Sequence, residues 1–197
     1  MAYQRLERAG FYYGFPVLLM TTKDREGRDA LTPLSSSWVL GNTVVLGIGF
    51  GNKGFQNLEQ GSDLVLNLPD ESLFEQVKRI ETFTGLSPVP ERKREMGYTY
   101  CADKFAAGGF TKMPAVTVRS VRVPECPIHI EARVEGIARR DWFAIVTCDM
   151  TGIFVDTKLL HDAEHIDTRK WHPLLYKFRE YTGTGARLGL NFGFAEA

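Results

Sequence analysis

The stretch DALTPLSSSWVLGNTVVLGIGFGNKGF, Asp29 to Phe55, decides how this chain is read. Asp29 to Leu40 reads as a strand carrying an unusual polar patch, Ser35-Ser36-Ser37. Gly41-Asn42 is a two-residue turn, a pair that favours tight hairpins because both residues tolerate positive φ. Thr43 to Ile48 is the return strand, and a helix is expected over residues 53–60. Between them lies a glycine-rich turn ending in Asn52 and Lys53. A strand, a glycine turn and a helix start form a setting in which backbone N–H groups can hold an anion.

Two phosphate motifs fail here. A dinucleotide fingerprint needs a third glycine at residue 52, which is Asn, and a parallel sheet with helices between its strands. The runs 15–22, 29–40 and 43–48 have no helix between them. A Walker loop needs Ser or Thr after its lysine, and Gly54 follows Lys53. What remains is a local anion site. Lys53 supplies charge, the paired strands bring Ser35, Ser36 and Ser37 alongside, and Trp38 and Phe50 offer flat surfaces. A flat ligand with one phosphate would use all of these.

Outward from this stretch, strands dominate. Residues 15–22 are a candidate buried strand, and 63–68 are another strand, ended by Pro69. Residues 115–123, 128–139 and 142–155 alternate or are rich in β-branched residues. A helix is expected over 73–82, with Leu73, Phe74, Val77 and Ile80 on one face and Ser72/Glu75 as a capping box. Residues 84–113 read as an irregular loop with a short helix near 91–96. The fold class is therefore mainly β, an antiparallel barrel or sandwich with helical insertions.

The 197 residues suffice for one domain and are too few for two ordinary ones, so a single domain over residues 1–197 is expected. The formal net charge is zero, which argues against nucleic acid or an anionic membrane as partner. Phe11 to Met20 is too short to span a bilayer. Three distant cysteines, Cys101, Cys126 and Cys148, read as free thiols in a reducing compartment. No basic leader is visible, and a cytoplasmic location is expected. His129 and Glu131 point the same way on a strand and are read as structural rather than as an acid–base pair. His161 and His165, four apart, lack a third ligand in a recognised pattern, so no metal is expected.

Several stretches resemble the flavin reductase-like family of FMN-binding split barrels, which includes flavoredoxin. They are Pro16-Val-Leu-Leu-Met-Thr-Thr22, Leu31-Thr-Pro-Leu-Ser-Ser-Ser-Trp38, and Asn57 with Gly61-Ser-Asp-Leu-Val-Leu-Asn-Leu-Pro69. Ala107-Gly-Gly-Phe-Thr111, Val123-Pro-Glu-Cys-Pro-Ile-His-Ile-Glu131 and Tyr181-Thr-Gly-Thr-Gly185 continue the order. The resemblance implies a six-stranded antiparallel split barrel, a homodimer, and FMN in the dimer groove. It implies that Thr32, Pro33, Leu34, Ser35, Ser36, Ser37 and Trp38 line the flavin, with Ser36 and Ser37 on ribityl or phosphate oxygens. Phe50, Asn52, Lys53 and Gly54 would hold the phosphate, with Asn57 close behind. Gly54 stands where the family has a Thr, Asn52 where it often has an Arg, and the hairpin lacks the family's Pro-Pro.

Hydride transfer from NAD(P)H to a flavin asks for no acid, base or nucleophile from the protein. This agrees with the lack of a catalytic triad, and no catalytic residue is assigned. The implied function is an FMN-dependent oxidoreductase using NAD(P)H and an unknown acceptor. Two alternatives stand beside it: a flavin-binding electron carrier, and a degenerate split barrel that binds no FMN.

Overall fold

The segment from Asp29 to Leu40 governs the architecture. In the structure, a computed structural model that describes residues 1–7 and 10–189, it forms two strands, β3 (Asp29–Leu34) and β4 (Ser37–Leu40). Before them come β1 (Tyr13–Pro16) and β2 (Leu18–Lys23). After them come β5 (Thr43–Gly49), helix α1 (Lys53–Glu59) and β6 (Leu64–Leu68). Helices α2 (Phe74–Ile80), α3 (Glu91–Glu95) and α4 (Lys104–Gly108) follow. Among them lie four two-residue strands: β7 (Phe83–Thr84), β8 (Thr99–Tyr100), β9 (Met113–Pro114) and β10 (Val121–Arg122). The long strands β11 (Ile128–Arg139) and β12 (Phe143–Val155) precede a short hairpin, β13 (Leu175–Lys177) and β14 (Glu180–Thr182).

The main sheet runs β3-β2-β6-β11-β12-β5-β4, and every pairing is antiparallel. Its two ends, β3 and β4, are separated in the chain only by Ser35 and Ser36. The sheet therefore curls until its ends meet. Ser35-Ser36 hands the chain from the ladder with β2 to the ladder with β5, and the Gly47 N–H donates to the Ser36 carbonyl at 2.7 Å. A Cβ on Gly47 would lie 3.1 Å from the Ser36 Cβ, so glycine lets the crossover sit down on β5. Counted as one strand that splits, residues 29–40 make this a six-stranded antiparallel split barrel. Register shifts at Glu131/Ala132 and Val134/Gly136 on β11 supply bends that a closed sheet needs.

Side-chain alternation divides the apolar residues between two clusters. Leu18 and Met20 of β2 point into the barrel with Leu46, Leu64, Leu66 and Val146, under Phe55 and Leu58 of α1. Val17 and Leu19 point outward, against Val77, Ile80, Phe105 and Leu174. Both faces of β2 are buried, which is why its sequence reads as a continuous apolar run.

The expected strand 115–123 is absent apart from Val121–Arg122, which pairs with Met113–Pro114. Carboxylates take the backbone donors that a neighbouring strand would have taken. Glu131 accepts from Val116 N–H at 2.9 Å and Thr117 N–H at 2.6 Å, and Asp63 accepts from Arg119 N–H at 2.7 Å and Ser120 N–H at 2.9 Å. The capping box at Ser72 does not form. Asp70 accepts from the Ser72 N–H at 3.0 Å instead, and a 3-10 turn over Glu71–Leu73 leads into α2. Helix α4 was not foreseen, although Asp103 caps it and Gly109 ends it with φ 71°.

Glu131 is wholly buried and binds Arg122 Nε at 2.7 Å. Burial opposes its charge, but bonds from Thr117, Val116 and Arg122 prevail and hold its pKa below the usual carboxylate range. Glu131→Ala would leave Arg122 buried without its counter-charge and release residues 116–117. Breaking such a pair costs about 3–5 kcal/mol, so urea unfolding of this variant should show a loss of that order.

Candidate functional site

The split strand exposes Thr32, Pro33, Leu34 and Ser35 to a cavity of about 510 Å³. Asn52, from the glycine turn, and Lys93, from α3, stand in the same wall. Lys104, the first residue of α4, lines it too, with Tyr98, Tyr176 and Tyr181 and the charged residues Lys78, Glu81 and Arg179. Lys104 also lines a neighbouring polar cavity of about 400 Å³ with Lys53, Asp24 and Arg28.

The electrostatics of the first cavity are set by its lysines. Lys93 Nζ donates to Asn52 Oδ1 at 2.8 Å and lies 5.0 Å from the Tyr98 ring centroid. Burial lowers its pKa. Lys104 is only 9% exposed, and burial together with the nearby Lys93 lowers its pKa to about 8. Among the described residues no carboxylate pairs with either lysine. Lys104 is thus a desolvated cation without a counter-charge, whereas Lys93 is satisfied in part by Asn52 and the Tyr98 ring. Elsewhere on the wall Tyr181 donates to Glu81 at 3.0 Å, and Glu81 pairs with Lys78 at 2.7 Å.

The residues expected from sequence are distributed unevenly. Thr32, Pro33, Leu34, Ser35 and Asn52 come together at the first cavity. Lys53 lines the second. Gly54 lies under Met20 and Thr32, and a Cβ there would come within 2.6 Å of both Met20 Cε and Thr32 Oγ1. The fold thus has no room for a Thr at residue 54, and the Thr32 hydroxyl occupies that space. Ser36 donates to the Tyr12 hydroxyl at 3.3 Å, and Ser37 sits in the β4–β5 ladder. Trp38 is 56% exposed on β4. Phe50 packs on Phe55, with ring centroids 5.1 Å apart. Asn57 is fully buried and donates to Thr22 Oγ1 at 3.0 Å. Ser36, Ser37, Trp38, Phe50, Gly54 and Asn57 line neither cavity.

Sequence reading missed Lys93, Lys104 and the tyrosines. Lys104 had a usable signal, since it follows the capping Asp103 and stands just ahead of Ala107-Gly-Gly-Phe-Thr111. Lys93 sits in the run Glu91-Arg-Lys-Arg-Glu95, which resembles any solvated face.

His129 and Glu131 do not form a pair of their own. His129 Nδ1 lies 2.9 Å from Asn67 Oδ1, and burial with Arg122 nearby lowers its pKa to about 4. Residues 161–164 are bends rather than a helix, and His165 contacts Asp162 at 2.9 Å. Among the described residues no cluster of metal-binding side chains is present, and no helix is long and apolar enough to cross a membrane.

Residues 11–185 match the family described as flavin reductase like domain, and the chain belongs to that family. It is 39% identical over 184 residues to the uncharacterized protein YdfE of Bacillus subtilis (strain 168), covering 92% of this chain and 89% of that one. Its fold is similar to flavoredoxin of Desulfovibrio vulgaris (Miyazaki F), with TM-score 0.80, 18% identity and coverage of 97% and 98% of the two chains. Flavoredoxin from Methanosarcina acetivorans is similar at TM-score 0.80 and 15% identity, over 98% of this chain and 96% of that one. A flavin reductase-like split barrel is thus shown by sequence and by fold.

The state of Lys104 makes a pH test possible. Its folded pKa lies below the ordinary lysine value, so the ammonium is lost as pH rises through about 8. Affinity for a phosphate-bearing ligand should fall by up to about tenfold between pH 7 and pH 9. Titrations at the two pH values check this, and Lys104→Met should flatten the difference.

Proposed function

We propose that the chain binds FMN in the first cavity and acts as a flavin reductase-type oxidoreductase with NAD(P)H as electron donor. The observation that carries this reading is Lys104, buried and without a carboxylate partner, beside Lys93 on the wall formed by the split strand. Lys93 and Lys104 would hold the phosphate, with Asn52 fixing Lys93. Thr32 and Ser35 would offer hydroxyls to the ribityl chain, and Thr32 replaces the hydroxyl missing at Gly54. Pro33 and Leu34 would give the ring an apolar floor. Bound flavin supplies the hydride and electron chemistry, and the protein supplies position and charge.

A homodimer fits the same reading. Trp38, Val39 and Leu40 are all exposed on β4, and a contiguous apolar strand facing solvent suits burial against a second copy. All three cysteines are free thiols, with Cys126 and Cys148 buried, which supports a reducing compartment such as the cytoplasm.

The test is anaerobic mixing of the FMN-loaded protein with NADH or NADPH. Bleaching of the visible flavin absorption, faster than for free FMN, is expected. Bound flavin that neither nucleotide reduces would instead mark an electron carrier, and a colourless protein that takes up no FMN would mark a barrel without flavin function.

A further inference from the structure

Two of the three free thiols are sealed in the core, with Cys126 at 1% exposure and Cys148 at 0%. Burial pushes both thiols up, so neither gives a thiolate near neutral pH. Cys101 differs. It is partly exposed and lines the second cavity beside Tyr100, Ala102 and Lys104. Its place is fixed, because it directly follows β8 and its N–H donates to the Thr84 carbonyl at 2.9 Å. Lys104, more than nine-tenths buried, has no carboxylate partner among the described residues. The acids around it are engaged elsewhere. Asp103 accepts the N–H groups of Phe105 at 2.9 Å and Ala106 at 3.1 Å. Asp24 accepts from Arg28 Nε at 2.8 Å, and Asp29 is held by Lys23 at 2.5 Å and Lys112 at 3.4 Å. Burial and the nearby Lys93 oppose the Lys104 charge, and Cys101 favours it. A thiolate at Cys101 would be the counter-charge that Lys104 lacks. A partly exposed cysteine beside a lysine is the setting in which protein thiols react.

We propose that Cys101 is a reactive thiol that forms a mixed disulfide with small acidic disulfides, and that Lys104 is its positioning residue. The Cys101 thiolate attacks one sulfur of the incoming disulfide. A new S–S bond forms as the old one breaks, and the other half leaves as a thiolate that takes up the proton Cys101 lost. Cys101 is oxidised and the departing half is reduced, so no further reactant is needed. The reaction removes the charge on the Cys101 sulfur and leaves Lys104 unpaired again. An incoming half that carries a carboxylate restores a counter-charge, and an uncharged half does not. The cavity, of about 400 Å³, leaves room for such a group. The modification site stands independently of the flavin reading.

The probes are two aromatic disulfides, dithiobisnitrobenzoate, which carries carboxylates, and dithiodipyridine, which is uncharged. Each is mixed with the full-length, flavin-free protein at pH 7, and release of the leaving thiol is followed by absorbance. One fast equivalent is expected in the natural protein and none in Cys101→Ser, with Cys126 and Cys148 reacting only after unfolding in urea. Lys104→Met should slow the uncharged reagent about threefold, because a less favoured thiolate is partly offset by higher nucleophilicity. It should slow the acidic reagent about tenfold or more, since a charge-assisted contact to the carboxylate is lost as well. A fast equivalent that persists in Cys101→Ser, no fast equivalent at all, or rates unchanged in Lys104→Met would overturn the proposal. Equal slowing of both reagents would overturn the preference for an acidic disulfide. The natural protein alone supplies a second measurement that needs no variant to fold. Its ratio of acidic to uncharged rates should exceed the ratio found with free cysteine, and a lower ratio would overturn the role of Lys104.

Discussion

Everything in this barrel depends on one handover. At Ser35-Ser36 the backbone stops bonding to β2 and starts bonding to β5, so the two ends of a seven-membered strand order become one strand. The split leaves Thr32 to Ser35 facing a cavity. The same crossover needs Gly47 beneath it, so the glycines of the quoted stretch serve closure of the sheet as well as the turn. Gly54 has a similar reason: α1 packs so closely on Met20 and Thr32 that a side chain would collide with them. Two glycines that invite a phosphate-loop reading are thus explained by backbone packing.

Charge enters the cavity from the far side of the chain. Asn52 ties Lys93 to the glycine turn, and Asp103 caps the helix that begins with Lys104. Burying the Lys104 ammonium without an acid opposes folding, because no counter-charge makes good its lost hydration. The anion we propose would complete such an arrangement. Lys104 lies between two cavities, so its charge is available to both.

Much of the barrel was legible in the sequence. Strand alternation in 128–139, the Gly41-Asn42 hairpin and the helix at 53–60 report local preferences, and all three appear. Only Gly41 takes the positive φ, at 56°. The break at Ser35-Ser36 was visible as a polar patch, but its meaning lies in partners far along the chain. Residues 115–123 misled because β-branched composition cannot show that Glu131 and Asp63 will claim the backbone donors. Of the cavity wall, Thr32 to Ser35 could be named from sequence, and Lys93 and Lys104 could not. Lys93 and Lys104 are ordinary lysines until tertiary packing removes their water. Lys53, by contrast, looked like the phosphate ligand and stands in the neighbouring cavity.

The most direct measurement is FMN titration, followed by quenching of flavin fluorescence, for the natural protein beside Lys104→Met. Methionine fills the buried space without a charge, so the fold should stand. A hydrogen bond from a charged donor is worth about 1.5–3 kcal/mol, so we expect saturable binding that the substitution weakens by about tenfold or more. Equal affinity in both proteins, or no saturable binding in either, would contradict an anion site built on Lys104.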